Sequence, residues 1–127
     1  MDTVIPKVET AHAILLLSDK YVMQLRDDKP DIAARGQWSF FGGKINPGET
    51  PLEAIKRELF EELSIRPEEL RFLWQTDYYY DFVKGTVRTW FFISSVDRVW
   101  SAHKLKEGKG VGIFFLMNLR IWISLKS

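Results

Sequence analysis

Gly43-Lys-Ile-Asn-Pro-Gly-Glu49-Thr-Pro-Leu-Glu-Ala-Ile-Lys-Arg57-Glu58-Leu59-Phe-Glu61-Glu62-Leu-Ser64-Ile65 decides how this chain is read, because a glycine-led turn runs there into a helix rich in glutamate. Thr50 suits an N-cap, Pro51 suits the first helical position, and Glu53 three residues on completes a Thr-x-x-Glu capping box. At about 100° per residue, Leu52, Ile55, Leu59 and Leu63 form one apolar stripe. Glu58, Glu61 and Glu62, spaced i, i+3 and i+4, share a neighbouring face.

Three carboxylates on one patch repel one another unless a positive charge lies between them. A hard divalent cation such as Mg²⁺ is the simplest such charge, since it takes carboxylate, water and phosphate oxygens. Ala54, one turn before Glu58, is expected to leave room above the carboxylates for a ligand. Arg57 has Glu53 at i−4 and Glu61 at i+4 as partners, which suits it to hold Glu61 in place. Taken alone, Glu-x-x-Glu-Glu is also the ordinary solvated face of an amphipathic helix.

The whole stretch resembles the Nudix box, the Gly-x5-Glu-x7-Arg-Glu-U-x-Glu-Glu-x-Gly-U signature of a hydrolase family, where U is a bulky aliphatic residue. Gly43, Glu49, Arg57, Glu58, Leu59, Glu61, Glu62 and Ile65 fall at motif positions, and Ser64 stands where the family has glycine. A residue just past a helix end often adopts the left-handed conformation, so serine there costs about 1 kcal/mol. The resemblance implies an α/β fold, the Nudix α/β/α sandwich with a mixed sheet between helices. It also implies a pyrophosphohydrolase using Mg²⁺ or Mn²⁺, with Glu58, Glu61 and Glu62 on the metal and the backbone carbonyl near Gly43 joining them. Glu49 and Arg57 then support the catalytic loop and helix.

The remaining sequence fits one domain, 1–127, large enough for a core. A net charge of +1 with 28% charged residues gives no broad basic field, so no nucleic acid polymer is expected as a partner. The absence of cysteine removes disulfides, thiolate metal sites and a cysteine nucleophile. No signal peptide or membrane span is legible, since Ile14-Leu-Leu-Leu17 is too short, and a cytoplasmic location is the expectation.

Val8 to Leu17 reads as a strand covered on both faces, returning through Tyr21 to Arg26 after a turn at Ser18. Asp27 to Gln37 reads as loop. Trp38 to Phe41 is a short strand feeding Gly42-Gly43, Leu70 to Phe82 and Val87 to Val96 form a hairpin, and Val111 to Leu116 is a last strand. Met117 to Leu125 has helical spacing and is short and apolar, which leaves monomer and homodimer both open.

Outside the box, Arg26 with Lys29 and Arg35 nearby is a candidate for phosphate oxygens, against the ordinary reading of a strand-end charge. Trp38, Tyr78, Tyr80 and Trp90 are candidates for stacking on a base, against packing. Lone His12 and His103 read as packing or surface residues. Glu107, between glycines and lysines, is a candidate late-loop metal ligand or base by the resemblance, against a solvated charge; Glu58, held on a regular helix, is favoured as ligand and base. The substrate is expected to be a nucleoside triphosphate or a related small nucleotide. A nucleotide sugar, a dinucleoside polyphosphate and a non-catalytic nucleotide-sensing module are the alternatives.

Overall fold

A computed structural model of the chain describes residues 4–26, 36–105 and 110–115. Its elements are β1 (Val8–Leu17), β2 (Lys20–Leu25), β3 (Trp38–Ser39), β4 (Phe41–Lys44), α1 (Pro51–Leu63), β5 (Arg71–Tyr80), β6 (Gly85–Ser95), a 3₁₀ turn (Trp100–Ala102) and β7 (Gly110–Phe115). Most strand boundaries fall within two residues of those expected from the pattern; the exception is the expected single strand Trp38 to Phe41, which is split into β3 and β4, with Gly42-Gly43 inside β4 and its end at Lys44. Met117–Leu125, Lys29, Arg35 and Glu107 lie outside the described residues, and with them the second helical layer of the expected sandwich.

The strands form one mixed sheet. β1 runs parallel to β6 through nine residue pairs, from Val8↔Val87 to Leu16↔Ser95, and its opposite edge carries β2 and β4, both antiparallel. β2 also pairs with β3 and β7, and β5 closes the other end on β6. β1 is therefore interior along its length, as its apolar run implies.

Alternation along β1 sends Ala11, Ala13 and Leu15 to one face, where they join Ile55, Leu59 and Leu63 of α1 in a single core with Phe41, Ile65, Phe92 and Val96. Two alanines on the central strand let the helix lie close to the sheet. The apolar stripe of α1 differs from the one expected. Leu52 is 37% exposed, whereas Ala54 is fully buried. Ala54 thus packs in the core and offers no room for a ligand. The buried set Ala54, Ile55, Leu59, Glu62 and Leu63 turns the covered face toward Ala54 and leaves Leu52 at its edge.

Candidate functional site

The helix begins where the sequence marks it. Thr50 Oγ1 accepts from the Glu53 N–H at 3.1 Å, and Glu53 Oε1 accepts from the Thr50 N–H at 2.9 Å. This capping box engages Glu53, so it is not the partner of Arg57. Glu49, eight residues back, takes that place, because the loop Asn46–Glu49 folds over the first turns of α1. Arg57 Nε donates to Glu49 Oε2 at 2.7 Å and Nη2 donates to Glu49 Oε1 at 2.9 Å, a bidentate fork. Glu49 Oε1 also accepts the Asn46 N–H at 2.8 Å, which closes the loop.

The other donors of Arg57 reach the carboxylate face. Nη1 donates to Glu58 Oε1 at 2.8 Å and to Glu61 Oε2 at 3.1 Å, and Nη2 donates to the Lys44 carbonyl at 3.0 Å. Every N–H of the guanidinium is engaged. The Arg57 hydrogen bonds hold the Glu49 carboxyl below its ordinary pKa, while Glu49 and Glu58 raise that of Arg57. Loop, strand β4 and helix are thereby tied at one residue.

Glu62, the next carboxylate along, is 2% exposed, and its Oε1 accepts the Gly42 N–H at 3.1 Å. A buried carboxylate is costly unless its oxygens are hydrogen-bonded, and the strand end supplies that bond. Gly43 faces the helix: a Cβ there would stand 2.7–2.8 Å from the Glu58 carboxyl group. Gly42 has φ +149°, and a Cβ on it would meet the Ala11 carbonyl and the backbone and ring of His12. The two glycines are what let β4 run between His12 on one side and Glu58 on the other.

Arg57 thus ties Glu49, Glu58 and Glu61 together, Gly43 lies against Glu58, and Glu62 is joined to the same strand end through Gly42. Among the described residues, no three His, Cys, Asp or Glu side chains stand ready at metal-holding distances, and Arg57 supplies the positive charge between Glu58 and Glu61. The donor set nevertheless suits an oxygen-seeking divalent cation, with hard carboxylates gathered over a cradle that a Cβ would fill. Arg26 and Trp38 fall together where β2 meets β3, since the Arg26 N–H donates to the Gln37 carbonyl and Trp38 pairs with Leu25. Trp90 packs against the core, and Tyr78 and Tyr80 sit on the outer strand. His103 stacks on Trp100 at 3.8 Å, a packing role.

Two contributions were missed in the sequence, the Gly42 N–H and the Lys44 carbonyl. Both are backbone groups and so carry no side-chain signal; the Gly42-Gly43 pair was the available clue. His12 holds a packing position behind this strand end. Burial lowers its pKa to about 4, the Arg26 charge adds to the lowering, and hydrogen bonds to the Phe40 and Phe41 backbone oppose it.

A mixed sheet with one glycine-led, carboxylate-bearing helix defines an α/β protein with a polar site at the strand–helix junction. A family model described as the NUDIX domain matches residues 6–116, and the chain belongs to the Nudix family. The RNA pyrophosphohydrolase of Francisella tularensis subsp. mediasiatica (strain FSC147) is 44% identical over 57 residues, which span 43% of this chain and 37% of that relative. The chain therefore aligns with little more than a third of the length of that curated relative. The fold is similar to that of the MutT protein from Methanosarcina mazei Go1, with TM-score 0.75, 21% identity and coverage of 88% of this chain and 79% of that one. It is also similar to a bifunctional NMN adenylyltransferase/ADP ribose pyrophosphatase from Francisella tularensis, complexed with AMP and a Mn ion. There the TM-score is 0.67 at 26% identity, covering 87% of this chain and 34% of that one.

Proposed function

We propose that the chain hydrolyses a phosphoric anhydride bond in a nucleoside diphosphate linked to another group, with a free nucleotide such as a nucleoside triphosphate as substrate and Mg²⁺ or Mn²⁺ as cofactor. The observation that carries this is the Arg57 network, which holds Glu58 and Glu61 beside the buried Glu62 at the Gly42-Gly43 strand end. Glu58, Glu61, Glu62 and the Gly43 carbonyl would hold the cation. When bound, it would neutralise diphosphate charge and make a coordinated water more acidic.

The chain's own residues have separable tasks. Glu58 uses Oε1 to bind Arg57, which leaves Oε2 to take the proton from the attacking water as its oxygen bonds to phosphorus and the bridging P–O bond breaks. The leaving phosphate departs with the bond electrons. Arg57 and Glu49 hold Glu58 in reach, and Gly43 leaves space for it. Lys7, Glu9, Lys44 and Glu49 line a cleft of about 380 Å³ in which charges of both signs balance, and the two lysines are the candidates there for phosphate oxygens. Arg26 and Trp38 are the candidates for the rest of the nucleotide, and Glu107 for an auxiliary ligand. A cytoplasmic setting, where small nucleotides abound, suits this reading; among the described residues no helix is long and apolar enough to cross a membrane.

The name of the Francisella relative favours a second substrate reading, a 5′-polyphosphate end of RNA. One panel separates the two: nucleoside triphosphates, ADP-ribose, a dinucleoside polyphosphate and a 5′-triphosphate oligoribonucleotide, with products weighed after reaction in ¹⁸O-water. We expect label in a phosphate product of a free nucleotide and no turnover in excess EDTA. Label only in a non-phosphate product, or full turnover with EDTA, refutes anhydride hydrolysis. Glu58→Gln is expected to lower kcat by about 10²-fold or more, and Glu107→Gln to act mainly on KM or metal affinity. The reverse ordering would move the base to residue 107.

A further inference from the structure

Arg71-Phe-Leu-Trp-Gln-Thr-Asp-Tyr-Tyr-Tyr80, the whole of β5, ends the sheet, and among the described residues nothing pairs with its outer edge. Exposed edge strands are normally protected by lysine, proline or a short length. β5 has ten residues, no lysine and no proline. Its Phe72, Leu73, Trp74, Tyr78 and Tyr79 are 41–66% exposed. The charge in its middle, Asp77, is not a free one: Arg88 of β6 donates to both its oxygens, Nε at 2.8 Å and Nη2 at 3.0 Å. An apolar, charge-compensated edge of this length is the mark of an interaction surface.

The side chains also identify what fits it. A bulge between Phe72 and Trp74 resets the alternation, after which Trp74 to Tyr80 pairs regularly with β6. Trp74, Thr76 and Tyr78 lie opposite Phe91, Thr89 and Val87 on the sheet face away from α1, and Gln75 and Asp77 lie opposite Trp90 and Arg88 on the helix face. Suppose a second β5 runs antiparallel to the first about a two-fold axis at Thr76. Trp74 of each copy then faces Tyr78 of the other, Gln75 faces Asp77, and Thr76 faces itself. Aromatic pairs and Thr–Thr pairs are favourable cross-strand neighbours. Gln75 already donates to Asp77 within one chain, from Nε2 to Oδ1 at 2.6 Å, so amide and carboxylate on this face are matched in kind. Centring at Asp77 instead sets two carboxylates face to face, and centring at Gln75 leaves Trp74 against Thr76.

We propose that two copies of this chain pair edge to edge through β5, about an axis at Thr76, to form a continuous sheet across an isologous dimer. The surface belongs to a strand two places from β1, whereas α1 packs on β1 and β4, so the pairing leaves the site of each copy open.

The test uses the full chain. Sedimentation equilibrium should give twice the mass of one chain. Because the sequence lacks cysteine, Thr76→Cys introduces one thiol per copy, placed at the axis, and mild oxidation should convert it to a covalent dimer; Gln75→Cys should not cross-link. Trp74→Glu with Tyr78→Glu sets like charges opposite one another and should give a folded monomer by circular dichroism and mass. Trp74→Glu with Tyr78→Lys sets opposite charges across the same pairs and should restore the dimer. A wild-type monomer overturns the proposal. A dimer that the Glu/Glu variant leaves intact, or that the Glu/Lys variant does not recover, assigns the contact elsewhere and overturns it equally.

Discussion

At the scale of single residues, the site depends on small groups placed so that large ones can meet. Gly43 lacks the Cβ that would stand against the Glu58 carboxyl group. Since that carboxyl is the far end of a flexible side chain, Gly43→Ala is expected to fold with little loss of stability while displacing Glu58. Hydrolysis should fall by about tenfold or more, with an unchanged urea midpoint. A variant with normal turnover would show that Glu58 does not need its observed position. Glu62→Gln makes a complementary test, because glutamine keeps an oxygen to accept the Gly42 N–H yet removes the charge. Loss of nearly all activity at undiminished metal-free stability is the expected result. Activity near wild type would remove Glu62 from the proposed metal set. Spacing placed Glu58, Glu61 and Glu62 on one helical face, but spacing alone also fits a solvated surface; their role, and that of Gly43, came from the resemblance to the Nudix box. The partner of Arg57 was not legible in spacing. Glu53 and Glu49 both lie within its reach, and the choice is made by the capping box, which takes Glu53, and by the loop, which brings Glu49 back over the helix.

At the scale of elements, α1 runs from Pro51 to Leu63 as its capping signals require, and β1 spans Val8 to Leu17 as its apolar run requires. Both are local signals, so sequence reading serves them well. The error at Leu52 and Ala54 has a tertiary cause. Helical periodicity names a stripe, but the sheet beneath decides how the helix is turned about its axis, and here the covered face (Ala54, Ile55, Leu59, Glu62 and Leu63) is rotated toward Ala54 and leaves Leu52 at its edge. The bulge in β5 was equally out of reach, since nothing in Phe72-Leu73-Trp74 marks it. Ser64 is a case where the local expectation held. It ends the helix in the left-handed region, φ 59° and ψ 32°, with its N–H donating to the Phe60 carbonyl at 2.9 Å. Ser64→Gly removes the Cβ strain of that conformation, though it also loosens the unfolded chain. A net gain of about 0.5–1 kcal/mol in urea unfolding is expected. A loss would mean that the serine side chain contributes more at this cap than its strain costs.

At the scale of the whole molecule, the charged groups bias the fold toward neutral pH in two steps that can be separated. His12 titrates at about 4 in the folded protein against 6.5 for an ordinary histidine, because burial of its ring on β1 removes its water, with the Arg26 charge adding to the lowering. Above the higher value neither folded nor unfolded chain holds the proton, so His12 costs nothing. As the pH falls from 6.5 toward 4, the unfolded chain takes up a proton that the native chain refuses, and stability drops. Below about 4 both states are protonated and this loss stops growing. Glu49 and Asp77 act later. Arginine partners hold both carboxyls below their ordinary values of 4.5 and 3.8, so their stabilisation is complete above those values and is lost as acid protonates them in the folded state. Urea unfolding from about pH 7 down to about pH 5 should therefore lose on the order of 2 kcal/mol through His12 alone, with a steeper fall below as the carboxyls follow. His12→Gln removes the first step and keeps the second. Its stability should be nearly level between about pH 7 and about pH 5, whatever its absolute value, and should then fall with the wild type. A wild-type profile that is already flat over that interval, or a His12→Gln profile with the wild-type slope, would assign the acid sensitivity to other groups.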